Sequence, residues 1–313
     1  LRRTGRAGTA QALDQEDAAL RVGLVGAGAM GLPIALRLAE QGHAVAVCDI
    51  DPERRRLARA AGLALAATPA AAAEGCALLV VVVVDGVQTQ DVLFGPDGAA
   101  AARPEAVLLC PTIAPEDTEA AAAALAARGI AWIDAPMSGG PARARDGTMS
   151  LMVACPDAPW ARWQPLLATL ATRLVRVGVR AGDGARTKLV NNLLAAVNLA
   201  GAAEALALAA RLGLDAQTTL AVIEASSGQS WIGSDRARRA LAGDERVLAR
   251  TALLAKDSAL ALAMATGAGF EAPLGRTAAA RFARALEQGL GDADDAVLFT
   301  PAPISLPGAA AAR

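Results

Sequence analysis

Lys188 and Asn192 are the first candidates for proton chemistry in this chain. They stand four residues apart in Gly182-Asp183-Gly184 … Thr187-Lys188-Leu189-Val190-Asn191-Asn192, and so share one helical face. A lysine partly withdrawn from water loses preference for its charged form and can serve as acid or base near working pH. The Asn192 amide is suited to hold a substrate hydroxyl or to position the ammonium. The alternative is a surface lysine in the first turn of a helix, where a cation is unfavourable. Other proton carriers are scarce: tyrosine is absent, and the single histidine, His43, reads as a surface residue in a helix-to-strand turn.

A second group is Asp134-Ala135-Pro136-Met137-Ser138-Gly139-Gly140-Pro141. Ser138 offers a hydroxyl. Gly139 and Gly140 free two backbone N–H groups to form a nest for a small anion such as a carboxylate; the alternative is an ordinary tight turn. Lys256-Asp257, read from the residues alone, is a solvated polar edge of an apolar helix. Ser226-Ser227-Gly228 … Trp231 reads as a helix C-cap followed by a packing anchor.

These groups need something to act with, and residues 21–51 indicate what. Arg21–Val25 reads as a buried strand, and Gly26, Gly28 and Gly31 follow at G-x-G-x-x-G spacing. A helical pattern then runs from Met30 to Glu40, and a second strand, Ala44–Cys48, ends at Asp49. Gly26 permits the tight turn, Gly28 lets a pyrophosphate approach the backbone, and Gly31 lets the helix pack on the sheet. The helix N-terminus faces the phosphates, and Asp49 is placed to accept from ribose hydroxyls. This order predicts a dinucleotide site. A carboxylate at Asp49 would repel the 2′-phosphate of NADP, which favours NAD, although Arg54, Arg55 or Arg56 could fold over a phosphate.

From Arg21 to Val177 short apolar runs alternate with helical stretches, which implies right-handed βαβ units and a mostly parallel sheet. The pattern changes near Gly178–Gly184. A long helix over Thr187–Leu212 follows, and everything after it is helical. The expected organisation is a tail over 1–20, a Rossmann-like α/β domain over 21–181, an all-α domain over 182–299 and a tail over 300–313. Ligands of such folds bind at the carboxyl ends of the strands, in the cleft against the second domain.

Composition narrows the function further. A formal charge of −1 provides no basic field for nucleic acid. The dense run Cys76–Val84 is too short to span a bilayer, and Asn198 and Glu204 interrupt the apolar stretch 193–210, which reads as a buried helix rather than a membrane span. Residues 1–20 lack the apolar core of a signal peptide. The four cysteines, Cys48, Cys76, Cys110 and Cys155, have no metal-ligand spacing and read as reduced core thiols of a cytoplasmic protein. The Ala-rich long helix needs cover on more than one side, which suggests a homodimer or homotetramer.

Four stretches in order resemble the β-hydroxyacid dehydrogenase family: GLVGAGAMG at 23–31, DAPMSGGPARARDGTMSLMV at 134–153, GDGARTKLVNN at 182–192 and AKDSALALA at 255–263. The likeness runs over roughly residues 21–299. It implies Lys188 as the catalytic acid/base and Asn192 as an orienting group. It implies Ser138, Gly139 and Gly140 as the carboxylate site, with Met30, Thr112 and Lys256 beside the cofactor. It implies NAD-dependent oxidation of a small hydroxy acid. Ser226-Ser227-Gly228 … Trp231 is similar to the 3-hydroxyisobutyrate branch, whereas AEALALAARLGL at 203–214 and LFGPDG at 93–98 are similar to the L-threonate branch. The alternatives are an NADPH-dependent semialdehyde reductase of the same family or a cofactor-binding scaffold without chemistry. Cys110-Pro111-Thr112, Ser258 and Met137 depart from the family's usual residues; the proline removes a backbone donor from the cofactor-side loop.

Overall fold

The computed structural model describes residues 19–299, so most of both expected tails lies outside the described residues. The first half alternates: β1 (Arg21–Val25), α1 (Gly31–Glu40), β2 (Ala44–Cys48), α2 (Pro52–Ala60), β3 (Ala64–Leu65), α3 (Pro69–Ala73), β4 (Leu78–Val81), α4 (Gly86–Phe94), β5 (Ala106–Leu109), α5 (Pro115–Ala126) and β6 (Ala131–Asp134). There follow β7 (Met137–Ser138), α6 (Gly140–Asp146), β8 (Ser150–Ala154), α7 (Asp157–Leu170) and β9 (Arg173–Gly178). The chain then becomes helical: α8 (Asp183–Arg211), α9 (Ala216–Glu224), α10 (Trp231–Leu241), α11 (Thr251–Gly267) and α12 (Pro273–Glu287).

The nine strands form one sheet in the order β3-β2-β1-β4-β5-β6-β8-β7, with β9 against β8. From β3 to β6 every pairing is parallel. Strand order reverses between β1 and β4, which opens a crevice at their carboxyl ends. Helices cover both faces, so the central strands are apolar on both. Leu78 and Val80 of β4 enter one core cluster with Leu24, Leu108 and Ile133, while Leu79 and Val81 enter another with Val107, Leu109 and Leu125. The parallel pattern is interrupted after β6 and resumes only between β8 and β9. The link from Ser138 to Ser150 holds only the two-turn α6, and β8 runs antiparallel to β6 and β7.

The long helix begins at Asp183, four residues before the Thr187 expected from periodicity. Gly182 is its N-cap residue and Asp183-Gly184 open its first turn, where the Asp134 carboxylate accepts from the N–H groups of Gly182, Gly184 and Ala185. Lys188 is therefore in the second turn. α8 packs against α10, α11 and α12, with Leu199, Ala200, Ala203, Leu254 and Phe282 in a shared core. By length and hydropathy alone α8 could cross a membrane, but one face is built into this core. Its opposite face leaves Val190, Leu194, Leu208 and the following Leu212 exposed in a stripe of helical period.

Two further expectations are revised. His43 is not a surface residue: it is buried, and its Nδ1 accepts from the Leu20 N–H at 3.3 Å. Its turn lies under the segment entering β1, a tertiary contact that local pattern does not encode. Trp231, read as a packing anchor, is 47% exposed, and guanidinium groups pack on it: that of Arg143 lies 5.1 Å from its ring centre and that of Arg236 at 5.9 Å. Arg236 is braced from behind by buried Asp295, Nε to Oδ1 at 2.5 Å.

Candidate active site

The glycine turn is shaped by contacts that a side chain would break. Gly26 adopts φ 95°, and a Cβ there would run into the Val82 carbonyl. A Cβ on Gly31 would run into the Gly26 carbonyl, and one on Gly28 would meet nothing within 4 Å. Gly26 and Gly31 therefore shape the turn, while Gly28 keeps open the space in front of it. Met30 is the N-cap residue of α1, whose first turn carries no acidic side chain to offset its positive end. Asp49 folds back on the turn: Oδ2 accepts from the Ala27 N–H at 2.6 Å and Oδ1 from the Asp51 N–H at 2.8 Å. These residues fit a dinucleotide. Of the three arginines that follow, Arg56 is held by Glu53 on its own helix, Nη2 to Oε1 at 2.7 Å.

Lys188 and Asn192 are both buried, at 8% and 7% exposure. Burial pushes the Lys188 ammonium down to about 8; Asp257 opposes that shift and the charge of Lys256 adds to it. The residue that joins this group is Asp257, which sequence reasoning treated as part of a solvated edge. It is buried. Its Oδ2 accepts from Asn192 Nδ2 at 2.7 Å and its Oδ1 from Lys256 Nζ at 2.7 Å. Lys256 also donates to the Thr112 carbonyl at 2.5 Å, which ties α11 to the loop leaving β5. Thr112 and Lys256, linked only through the resemblance, are thus in direct contact. The Asn192 amide is already engaged on both ends, since its Oδ1 accepts from Asn191 Nδ2 at 3.0 Å.

Ser138 closes β7, and Gly139 and Gly140 have φ of 137° and 77°, values that favour glycine. The Arg143 side chain packs over Gly139: a Cβ on that glycine would lie 2.9 Å from Arg143 Cδ. No side-chain hydrogen bond among the described residues joins Ser138, Gly139 or Gly140 to Lys188. The loop and the lysine are related instead through Asp134, 1% exposed at the end of β6. Its Oδ2 accepts from the N–H groups of Gly182, Gly184 and Ala185 at 3.0, 2.9 and 3.3 Å. Burial pushes the Asp134 carboxyl up to about 7 against the pull of those N–H groups. Sequence reasoning missed the places that Asp134, Arg143 and Asp257 take beside these groups. A carboxylate ending an apolar strand and an acid inside an apolar helix were the available signals.

The four cysteines are buried free thiols, each pushed up by burial, so none offers a ready nucleophile. Among the described residues no cluster of His, Cys, Asp and Glu is arranged to hold a metal.

A doubly wound domain whose glycine turn fits a dinucleotide is thus joined to a helical domain that contributes a buried lysine. Residues 21–178 match the family described as the NAD binding domain of 6-phosphogluconate dehydrogenase. Residues 182–301 match that described as NAD-binding of NADP-dependent 3-hydroxyisobutyrate dehydrogenase. L-threonate dehydrogenase from Cupriavidus necator is 38% identical over 92% of this chain and 98% of its own length. 3-hydroxyisobutyrate dehydrogenase from Pseudomonas aeruginosa is 33% identical over 82% and 89%. The crystal structure of 3-hydroxyisobutyrate dehydrogenase from Salmonella typhimurium superposes with a TM-score of 0.82 at 33% identity, covering 89% of this chain and 98% of that one. The chain belongs to the β-hydroxyacid dehydrogenase family.

The glycine geometry separates two substitutions. Gly28→Ala should keep the thermal midpoint within a degree or two of wild type, an order-of-magnitude tolerance for an added surface methyl, while weakening NAD(H) binding measured by fluorescence titration. Gly31→Ala should lose both, because its methyl meets the protein itself. Equal thermal behaviour of the two variants would contradict the assignment.

Proposed function

We propose that this chain oxidises a small polyhydroxylated acid of the L-threonate type with NAD, reversibly, and that Lys188 carries the proton. The observation that carries the reading is the buried Lys188, lowered toward working pH beside Asn192 and Asp257. When bound, NAD supplies the hydride acceptor. Gly26, Gly28, Met30, Gly31 and Asp49 hold the dinucleotide, and the Lys256–Thr112 contact fixes the loop beside the nicotinamide. Neutral Lys188 takes the hydroxyl proton as the carbinol is oxidised, and returns it when the reaction runs backward. Ser138 and the Gly139 and Gly140 amides hold the substrate carboxylate. Asp257 fixes the Asn192 amide and holds Lys256 in place. NAD rather than NADP is supported by the Asp49 carboxylate at the ribose end and by the engagement of Arg56 with Glu53.

Two features support a polyhydroxylated substrate over an apolar branched one. Several curated relatives of nearly full coverage are L-threonate dehydrogenases. Next to the Gly139–Gly140 loop, the Arg143 guanidinium stacks on Trp231 and makes no hydrogen bond or ion pair among the described residues. Its N–H edges are therefore available to substrate hydroxyls. Arg143→Leu should raise KM for L-threonate about tenfold to a hundredfold, the worth of a hydrogen bond to a charged donor, and should change KM for 3-hydroxyisobutyrate much less. Equal changes for both acids would remove Arg143 from the argument.

The lysine makes its own prediction. Oxidation needs the neutral amine, so kcat/KM for the hydroxy acid should rise with pH and level off above about 8. Lys188→Met should lower kcat by about 10²–10⁴, the usual worth of a general base. It should also stabilise the fold at pH 7. The native pKa lies below the ordinary 10.5, so the folded state is penalised in full below about 8, and the penalty fades as pH rises toward 10.5. A Met variant that melts below wild type at pH 7, or that turns over normally, would contradict this assignment.

The exposed α8 stripe of Val190, Leu194, Leu208 and Leu212 supports assembly as a homodimer or homotetramer. Light scattering at micromolar concentration should give at least twice the mass of the 31.5 kDa chain, and a monomer would refute it.

A further inference from the structure

We infer that Asp134 is the positioning residue of the active site, setting where Lys188 stands relative to the Ser138–Gly140 loop. The inference rests on the role given to Lys188 above. Asp134 is the last residue of β6, with Leu109 of β5 on one side and Ala154 of β8 on the other. The chain leaving Asp134 reaches Ser138 four residues later, so the substrate loop begins from it. Through space, its Oδ2 gathers the N–H groups of Gly182, Gly184 and Ala185, the opening turn of α8. Lys188 is one helical turn beyond Gly184. One carboxylate oxygen therefore registers the helix carrying the base against the strand end carrying the anion loop.

A second observation agrees. A Cβ on Gly184 would lie 2.7 Å from Asp134 Oδ1 and 2.9 Å from Oδ2. Gly184 has ordinary helical φ, and alanine there would ordinarily favour the helix. The glycine is required by the carboxylate, not by the backbone. The oxygen also meets a general need: the first N–H groups of a helix have no partner within it, and an acceptor of negative character is favoured there. Where a side chain supplies it, that side chain is usually a neighbouring Ser, Thr, Asn or Asp. Here it comes from 48 residues upstream, in the other half of the molecule. A shift of about 1 Å between reacting groups is enough to cost on the order of a hundredfold in rate.

All three hydrogen bonds fall on one oxygen, and this makes the test selective. Asp134→Asn can present its amide oxygen in the same place, and kcat should stay within about threefold of wild type. Asp134→Ala removes the acceptor, and kcat should fall by about tenfold to a hundredfold, with the dissociation constant for NAD unchanged because the glycine turn is not touched. Gly184→Ala should lower kcat on its own by displacing the carboxylate, and should cost little further in the Asp134→Ala background, where its methyl has room. Amide hydrogen exchange over residues 182–188 should accelerate in Asp134→Ala and Gly184→Ala but not in Asp134→Asn. Native exchange in Asp134→Ala, unchanged kcat in that variant, an Asn variant as damaged as Ala, or strict additivity of Asp134→Ala and Gly184→Ala would each overturn the inference. If Asp134→Ala does not fold, Asp134→Asn and Gly184→Ala still decide it. A wild-type chain silent on every hydroxy acid offered would sink the substrate reading, while the exchange comparison would still judge the role of Asp134.

Discussion

Keeping an amine buried and still able to take up a proton is the constraint on which this structure depends. An ammonium withdrawn from water loses hydration that no protein group fully replaces, and the usual outcome is a lowered pKa. Lys188 shows that outcome, and its surroundings set how far it goes. Asp257 lies close enough to favour the charged form, while Lys256 disfavours it. Asp257 is shared: it also receives Lys256 and Asn192. A carboxylate divided among three polar neighbours raises the Lys188 pKa less than one devoted to it. Burial outweighs the attraction of Asp257, so the amine exchanges its proton near pH 8 instead of being locked in a permanent ion pair.

The same polar contacts hold the two halves of the molecule in register. Asp134 joins the sheet to the start of α8. Lys256 joins α11 to the loop after β5. Both lie at the carboxyl ends of strands, where a doubly wound sheet opens its crevice. Backbone groups exposed by the ending of a strand or the beginning of a helix need partners. In this chain the opposite domain supplies them at the point where chemistry requires a defined distance. The site and the domain junction are therefore built from one set of interactions.

What the sequence made legible was what is local. The strand, glycines, helix and acid of residues 21–49 lie within one βαβ unit, and each glycine's role follows from its own neighbours. The pairing of Lys188 with Asn192 follows from helical spacing. The start of α8 was misjudged because its capping acceptor is remote: no residue near Gly182 announces that Asp134 will cap it. Asp257 looked solvated because a Lys-Asp pair on a helix usually is, and only the approach of α8 buries it. His43 was misplaced for a similar reason, since the segment before β1 covers its turn. The resemblance supplied Thr112 and Lys256 without saying why they belong together; the structure answers with a direct hydrogen bond between them.

Small side chains explain why so few polar groups can carry this arrangement. The chain is 54% hydrophobic but only 3% aromatic, and alanines such as Ala196, Ala200, Ala203, Ala278 and Ala285 fill the helical core around Phe282. Alanine loses no side-chain entropy on burial and lets helices approach closely, yet it offers little interlocking shape to fix one helix against the next. Interdigitation of large side chains is how most cores specify a unique arrangement. Where it is weak, directional contacts must do the specifying, and the buried hydrogen bonds of Asp134, Asn192 and Asp257 provide direction. Such groups are costly to leave unsatisfied, so any sliding of α8 or α11 would expose an unpaired buried polar atom. That penalty restores to an alanine-packed interface a single well-defined geometry around the buried Lys188, as the proton transfer proposed for it would need.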